Sequence, residues 1–265
     1  MLKIFRIPDI NLKYYLGGLL IAPLLPLMYW QGKQIRKNIP QLPEATGNAG
    51  FVNSEFENTL NILFIGESTI AGVGAEKHED GFSGTLAKEL AKFIQKNIRW
   101  KVYAKSGYTA LDVREKLIPQ ITETETDLIV VGLGGNDAFG LNSPEVWSKH
   151  VQSLIWRIRM KFPDAPIAFL NMPPIKDFPA FTPLIKFAIG NLADILGENL
   201  DKVIENEPNA FYNSEAIILE HWLKKLNINE SVDCFFSDGV HPAKFTYQAW
   251  AKDFVAFLMK ENVVA

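Results

Sequence analysis

Apolar and charged positions divide this chain into an uncharged N-terminal run, a short punctuated stretch and a long alternating region. Between Lys13 and Lys33 lies YYLGGLLIAPLLPLMYWQG, residues 14 to 32, with Tyr14, Tyr15, Tyr29 and Trp30 near its two ends. A run of about 20 apolar residues spans a bilayer core, and aromatic residues favour its two interfaces. Pro23 and Pro26 interrupt a straight helix, and no small-x-small cleavage site follows closely. The pattern therefore predicts an uncleaved membrane anchor or a helix lying in the interface, in preference to a removed signal peptide. A cytoplasmic protein with this helix packed on its own surface or on a second copy is the alternative. Lys3, Arg6 and Lys13 precede the run and Lys33, Arg36 and Lys37 follow it, so flanking charge does not set an orientation. IPQLPEATGNAG, residues 39 to 50, is rich in Pro and Gly and reads as a linker. The expected organisation is a hydrophobic segment over 1–38, a linker over 39–58 and a folded domain over 59–265.

From residue 60 onward, short apolar runs alternate with segments of helical period. NILFIG (61–66), WKVYAKSG (100–107), DLIVVGLGGND (127–137), PIAFLNMPP (166–174) and NAFYN (209–213) read as strands. Phe82, Leu86, Leu90, Phe93 and Ile94 share a helical face, as do Val151, Leu154, Ile155 and Ile158, the latter after the start signal Ser143-Pro144-Glu145. Two more helices follow, carrying Ile217, Ile218, Trp222 and Leu226, then Trp250, Phe254, Phe257 and Leu258. Such alternation predicts a parallel sheet with helices on both faces. No internal repeat or low-complexity segment is present.

The 265 residues, 48% of them hydrophobic, suffice for one large core, and a net charge of -3 supplies no basic field for nucleic acid. Small or apolar molecules are the expected partners. The lone Cys234 excludes an internal disulfide and a Cys-rich zinc site.

In a parallel sheet, ligands bind beyond the carboxyl ends of the strands, so the loops there hold the candidate chemistry. They carry Gly66-Glu67-Ser68, Ser106-Gly107, Gly134-Gly135-Asn136-Asp137 and, before the last helix, SDGVHP with Asp238 and His241. Each is weak alone: Ser68 could be a turn residue, Gly107 could serve a positive φ, and Asp238 and His241 could open a helix. Together they supply a nucleophile, a base with its orienting acid, and donors for an oxyanion, the set that acyl transfer needs. Nucleotide binding fits poorly, because GVGAEK lacks a Lys-Ser/Thr ending and Asp137 stands where a third fingerprint glycine belongs. His78, Glu79 and Asp80 are adjacent on a loop and seldom converge on one metal ion. His78, His150 and His221 lie outside these blocks and read as surface residues.

With these blocks the sequence resembles the SGNH (GDSL-type) hydrolases, named for four residues in four blocks. The Ser, Gly, Asn and His match Ser68 in GESTIAG, Gly107 in AKSGYTALDV, Asn136 in GGND and His241 in SDGVHP, where Asp238 matches the family's Asp. Glu67 departs from the Asp that many members carry. The resemblance implies a flavodoxin-like three-layer α/β/α sandwich with a five-stranded parallel sheet. It also implies an esterase or lipase acting through an acyl-enzyme, with Ser68, Asp238 and His241 catalytic and Ser68, Gly107 and Asn136 forming the oxyanion hole. No metal or organic cofactor is implied. An acyltransferase or a carbohydrate O-deacetylase would use the same apparatus. The apolar stretch 172–196 suggests an acyl groove shaped by Phe178, Phe181, Leu184 and Phe187, although Leu184, Ala188, Leu192 and Ile195 also form an ordinary core stripe.

Overall fold

The structure, a computed structural model, describes residues 9–53 and 55–264; Lys3 and Arg6 of the N-terminal flank lie outside them. Six strands form one sheet: β1 (Ala49–Val52), β2 (Thr59–Gly66), β3 (Asn97–Ala104), β4 (Leu128–Gly132), β5 (Ile167–Phe169) and β6 (Ala210–Tyr212). Their order is β1-β3-β2-β4-β5-β6. The pairs from β3 across to β6 are parallel, so the five expected parallel strands are present, and β1 adds a sixth, antiparallel to β3. This sixth strand comes from the stretch read as a linker. Gly50 sits against the Trp100 indole, where a Cβ would come within 2.4 Å of the ring, so the absence of a side chain lets this edge strand close.

The helices are α1 (Ile10–Ile21), α2 (Leu25–Asn38), α3 (Phe82–Ile94), a single turn α4 (Ala110–Asp112), α5 (Gly135–Phe139), α6 (Pro144–Arg159), α7 (Pro183–Ile204), α8 (Leu219–Lys225) and α9 (Lys244–Lys260). Alternate residues of each central strand face opposite layers, as strand geometry requires. Leu63, Ile65, Ile129 and Val131 pack with Trp147, Leu154 and Leu196 from α6 and α7. Ile62, Phe64, Leu128 and Val130 pack instead with Leu86, Leu90, Trp250 and Phe254 from α3 and α9. The result is a flavodoxin-like three-layer sandwich. Both faces of the central strands are covered by buried apolar side chains, which explains why these strands read as unbroken apolar runs.

The N-terminal run is almost continuously helical. Asp9 caps α1 by accepting from the Asn11 and Leu12 N–H groups at 2.8 and 3.2 Å. A 3-10 turn over Ala22–Leu24 leads into α2, and Pro23 and Pro26 fall in the first turns of these two segments. A missing N–H costs nothing there, so the prolines start helices instead of breaking one. The stretch after α2 is docked, with Ala45 N–H donating to Ala71 O at 2.9 Å and Val102 N–H to Asn48 O at 2.7 Å.

Candidate active site

The candidate residues meet at the carboxyl edge of the sheet, around β2, where the strand order reverses on either side. A Cβ on Gly66 would lie 2.2 Å from the Gly132 carbonyl oxygen, so only glycine lets β2 and β4 close at this point. Glu67 N–H then donates to Gly132 O at 3.0 Å, and Ala71 N–H to Glu67 O at 2.8 Å, which turns the chain and leaves Ser68 half-buried at the strand end.

The buried Glu67 side chain ties this turn to the third loop. Its two carboxylate oxygens accept from the Gly135 and Asn136 N–H groups at 2.8 and 2.9 Å. Burial pushes this carboxyl up to about 7, against the lowering pull of those two N–H groups. The longer acid thus spans the gap between two loops that must hold fixed positions.

Ser68, Gly107 and Asn136, the three candidate donors, line one cavity. Gly107 has φ +84°, and nothing lies within 4 Å of where its Cβ would be, so backbone conformation and not crowding requires glycine. Its N–H and that of Ser68 have no acceptor among the described residues. Asn136 Nδ2 donates to Tyr108 O at 3.1 Å, and the same side-chain amide also acts on the Glu67 carboxyl, so the two contacts fix its position. Glu44 steadies the Gly107 turn by accepting from Ser106 N–H at 2.8 Å and pairing with Lys105 at 3.0 Å.

In the last loop, the Asp238 Oδ1 atom accepts from Val240 and His241 N–H groups at 2.9 and 2.7 Å. Its Oδ2 atom lies 2.8 Å from His241 Nδ1. The carboxylate therefore selects the tautomer with a proton on Nδ1 and a lone pair on Nε2. The Asp238 side chain is 1% exposed and the imidazole 22%. Burial alone would raise the Asp238 carboxyl, but the His241 ring and N–H outweigh it and hold the acid below its usual range.

Ser68, Gly107, Asn136 and His241 line a single cavity of about 1060 Å³. The Ser68 hydroxyl has no hydrogen-bond partner among the described residues, so it shares the cavity with the imidazole without being bonded to it. The profile of the GDSL-like lipase/acylhydrolase family matches residues 64–249, which contain all of these loops. The chain belongs to this family.

Solved structures agree on the fold. A lipase/acylhydrolase from Enterococcus faecalis aligns with a TM-score of 0.54 and 17% identity over 76% of this chain and 96% of its own. The psychrotrophic esterase EstA from Pseudoalteromonas sp., inhibited by monoethylphosphonate, gives 0.53 and 18% over 76% and 97%. A Clostridium thermocellum family 3 carbohydrate esterase gives 0.54 and 15% over 77% and 97%. No curated protein sequence matches. Family membership makes the protein a carboxylic ester hydrolase acting on small-molecule or lipid esters.

The walls of this GDSL hydrolase are only partly those the sequence suggested. Phe178 and Phe181 line the cavity, whereas Leu184 and Phe187 do not. Thr182 caps α7 by accepting from Ile185 N–H at 3.3 Å. With the helix begun there, Ile185 and Ile189, four residues apart, share the inward face, and Phe187 is 59% exposed on the other. Phe139, Phe181, Phe178 and Phe236 form a chain of ring contacts with centroids 5.3 to 5.5 Å apart along this side. The opposite wall was not anticipated: Leu25, Met28, Gly32, Ile35 and Ile39 of the N-terminal region complete the cavity. Their spacing of three and four residues is the helical signal, but nothing local says what the face covers. His78 is also buried, contrary to its surface reading, and burial pulls its imidazole down to about 4.

Proposed function

We propose that the protein is a serine esterase that cleaves lipid-like carboxylic esters through an acyl-enzyme on Ser68, with residues 14–32 in contact with a membrane. The observation that carries the reading is the shared cavity lined by Ser68, by His241 of the Asp238–His241 pair at 2.8 Å, and by Gly107 and Asn136, with the Ser68 and Gly107 backbone N–H groups lacking an acceptor among the described residues. His241 Nε2 takes the Ser68 proton as Oγ attacks the ester carbonyl carbon, once the pair closes to hydrogen-bonding distance. The Ser68 and Gly107 N–H groups and the Asn136 side-chain amide receive the oxyanion. Collapse breaks the C–O bond, and the leaving alkoxide takes the proton from His241. Water, deprotonated by His241, then attacks the acyl carbon; the bond to Ser68 Oγ breaks, Oγ takes the proton back from His241, and the acid is released. Asp238 stabilises the imidazolium formed in each half-reaction.

The aromatic and aliphatic walls favour an acyl chain over a carbohydrate. Inhibition of EstA by a phosphonate accords with attack by a serine oxygen. A series of p-nitrophenyl esters from acetyl to decanoyl tests both elements. Each methylene that enters the groove should raise kcat/KM by up to roughly fourfold, from about 0.8 kcal/mol of burial. A flat series removes the acyl groove, and a folded Ser68→Ala variant that keeps the native rate removes the acyl-enzyme.

A further inference from the structure

The N-terminal helical run has two apolar faces, and the domain covers only one. Tyr14, Ile21, Met28 and Ile35 recur at helical spacing and pack on the core that α6 and α7 help to form, and Ile10 is buried at the start of the run. Leu12, Leu16, Leu19, Leu20, Leu24 and Leu27 form the other side, with Leu19 and Leu20 each 73% exposed. Both ends of the run are fastened to the same helix region of the domain. Lys13 pairs with Glu198, and Gln31 accepts from the Thr182 hydroxyl at 2.7 Å. A helix held at both ends against the domain cannot also cross a bilayer, yet six leucines facing solvent call for apolar cover.

The same helix carries the cavity wall and, beside it, a cluster of cations. Tyr29, Lys33 and Arg36 line the mouth next to Leu25 and Met28, so the site that holds Ser68 opens along the helix. Lys33, Arg36 and Lys37 are exposed close together on α2 and have no ion-pair partner among the described residues. Unpaired cations beside an exposed apolar helix match the phosphates of an anionic leaflet.

We infer that residues 10–38 lie flat in the surface of an anionic bilayer and that the cavity takes its substrate from that leaflet: an acyl ester lipid with an anionic headgroup. The acyl chain would run between α2 and the Phe178–Phe181 side, and Lys33 and Arg36 would hold the headgroup at the mouth. This rests on the esterase reading above, and the test separates the two.

The full-length protein is mixed with vesicles of phosphatidylglycerol and phosphatidylcholine, or of phosphatidylcholine alone. Sedimentation and release of fatty acid are measured, with p-nitrophenyl acetate in solution as the control. The native protein should sediment with the anionic vesicles, come off in high salt, and release fatty acid from them in preference to the zwitterionic ones. Leu19→Glu/Leu20→Glu, outside the cavity, should lose vesicle binding about tenfold or more while hydrolysing the soluble ester at the native rate. Lys33→Gln/Arg36→Gln should abolish the preference for anionic vesicles. If the native protein cleaves the soluble ester but ignores vesicles, or prefers neutral ones, the inference is overturned and the esterase stands. A helix that resists alkaline carbonate extraction from cell membranes also overturns it, because that is the behaviour of a spanning segment. Absence of soluble-ester hydrolysis overturns the esterase reading itself.

Discussion

Replacing Glu67 with Gln isolates the one buried acid that links the Ser68 turn to the Asn136 loop. In the folded protein its carboxyl is raised from 4.5 to about 7, chiefly by burial. The folded state therefore holds the proton more tightly than the unfolded chain does. Its stabilising effect is complete below pH 4.5 and is lost as pH rises through about 7. A displacement of that size corresponds to about 3 kcal/mol. Gln cannot titrate and resembles the protonated acid. Native and Glu67→Gln proteins share every other ionisable group, so subtracting their stabilities removes most other pH effects. Urea unfolding of both proteins, from pH 4.5 to 8, should show the native protein's advantage shrinking by about 3 kcal/mol across that interval. A difference that stays constant with pH would refute the reasoning, as would one that grows in favour of the native protein. Gln also offers one acceptor where two N–H groups wait at 2.8 and 2.9 Å, so one is left unsatisfied at about 1–3 kcal/mol. Because that N–H belongs to Gly135 or Asn136, kcat should fall at every pH.

Asn136→Ala removes one of the proposed oxyanion donors and should lower kcat about a hundredfold with little change in KM, measured on a soluble aryl ester. Asp238→Asn removes the charge and the tautomer preference imposed through Nδ1, so kcat should drop on the order of ten-thousandfold while the fold is retained by circular dichroism. His78 is buried with its imidazole held down to about 4, so its stabilising effect is present above pH 6.5 and is lost as pH falls toward 4. An NMR titration should show its ring protons unchanged until pH nears 4, and a midpoint near 6.5 would contradict the burial argument.

The central layer was legible because its determinants are local and periodic. Buried runs such as Leu128–Gly132 are too apolar to be anything but a strand under two helix layers. The candidate site was legible for a related reason: Ser68, Gly107 and Asn136 lie within a few residues of the ends of β2, β3 and β4, where the sheet brings them together, and Asp238 and His241 stand in a short motif just before the last helix. The strand reading over 127–137 overran, because the positive φ of Gly134 ends the extended run and starts α5. β1 was hidden because four half-exposed residues carry no pattern of their own, and their partner β3 lies about 50 residues on. The site's second wall was hidden for a different reason. Residues 14–32 read as an apolar helix, but whether the face with Met28 meets lipid or protein depends on partners such as α7, far along the chain. Leu184 and Phe187 were misplaced relative to the cavity by the phase of one helix, which the Thr182 cap sets.

The proposal that Ser68 is the nucleophile is tested most directly by treating the folded protein with a fluorophosphonate and mapping the adduct by peptide mass spectrometry. The predicted result is one stoichiometric adduct on the peptide containing Ser68, absent from Ser68→Ala and formed far more slowly in a His241→Ala variant. An adduct on another residue, equal labelling of Ser68→Ala, or a native protein that hydrolyses esters yet stays unlabelled would contradict it.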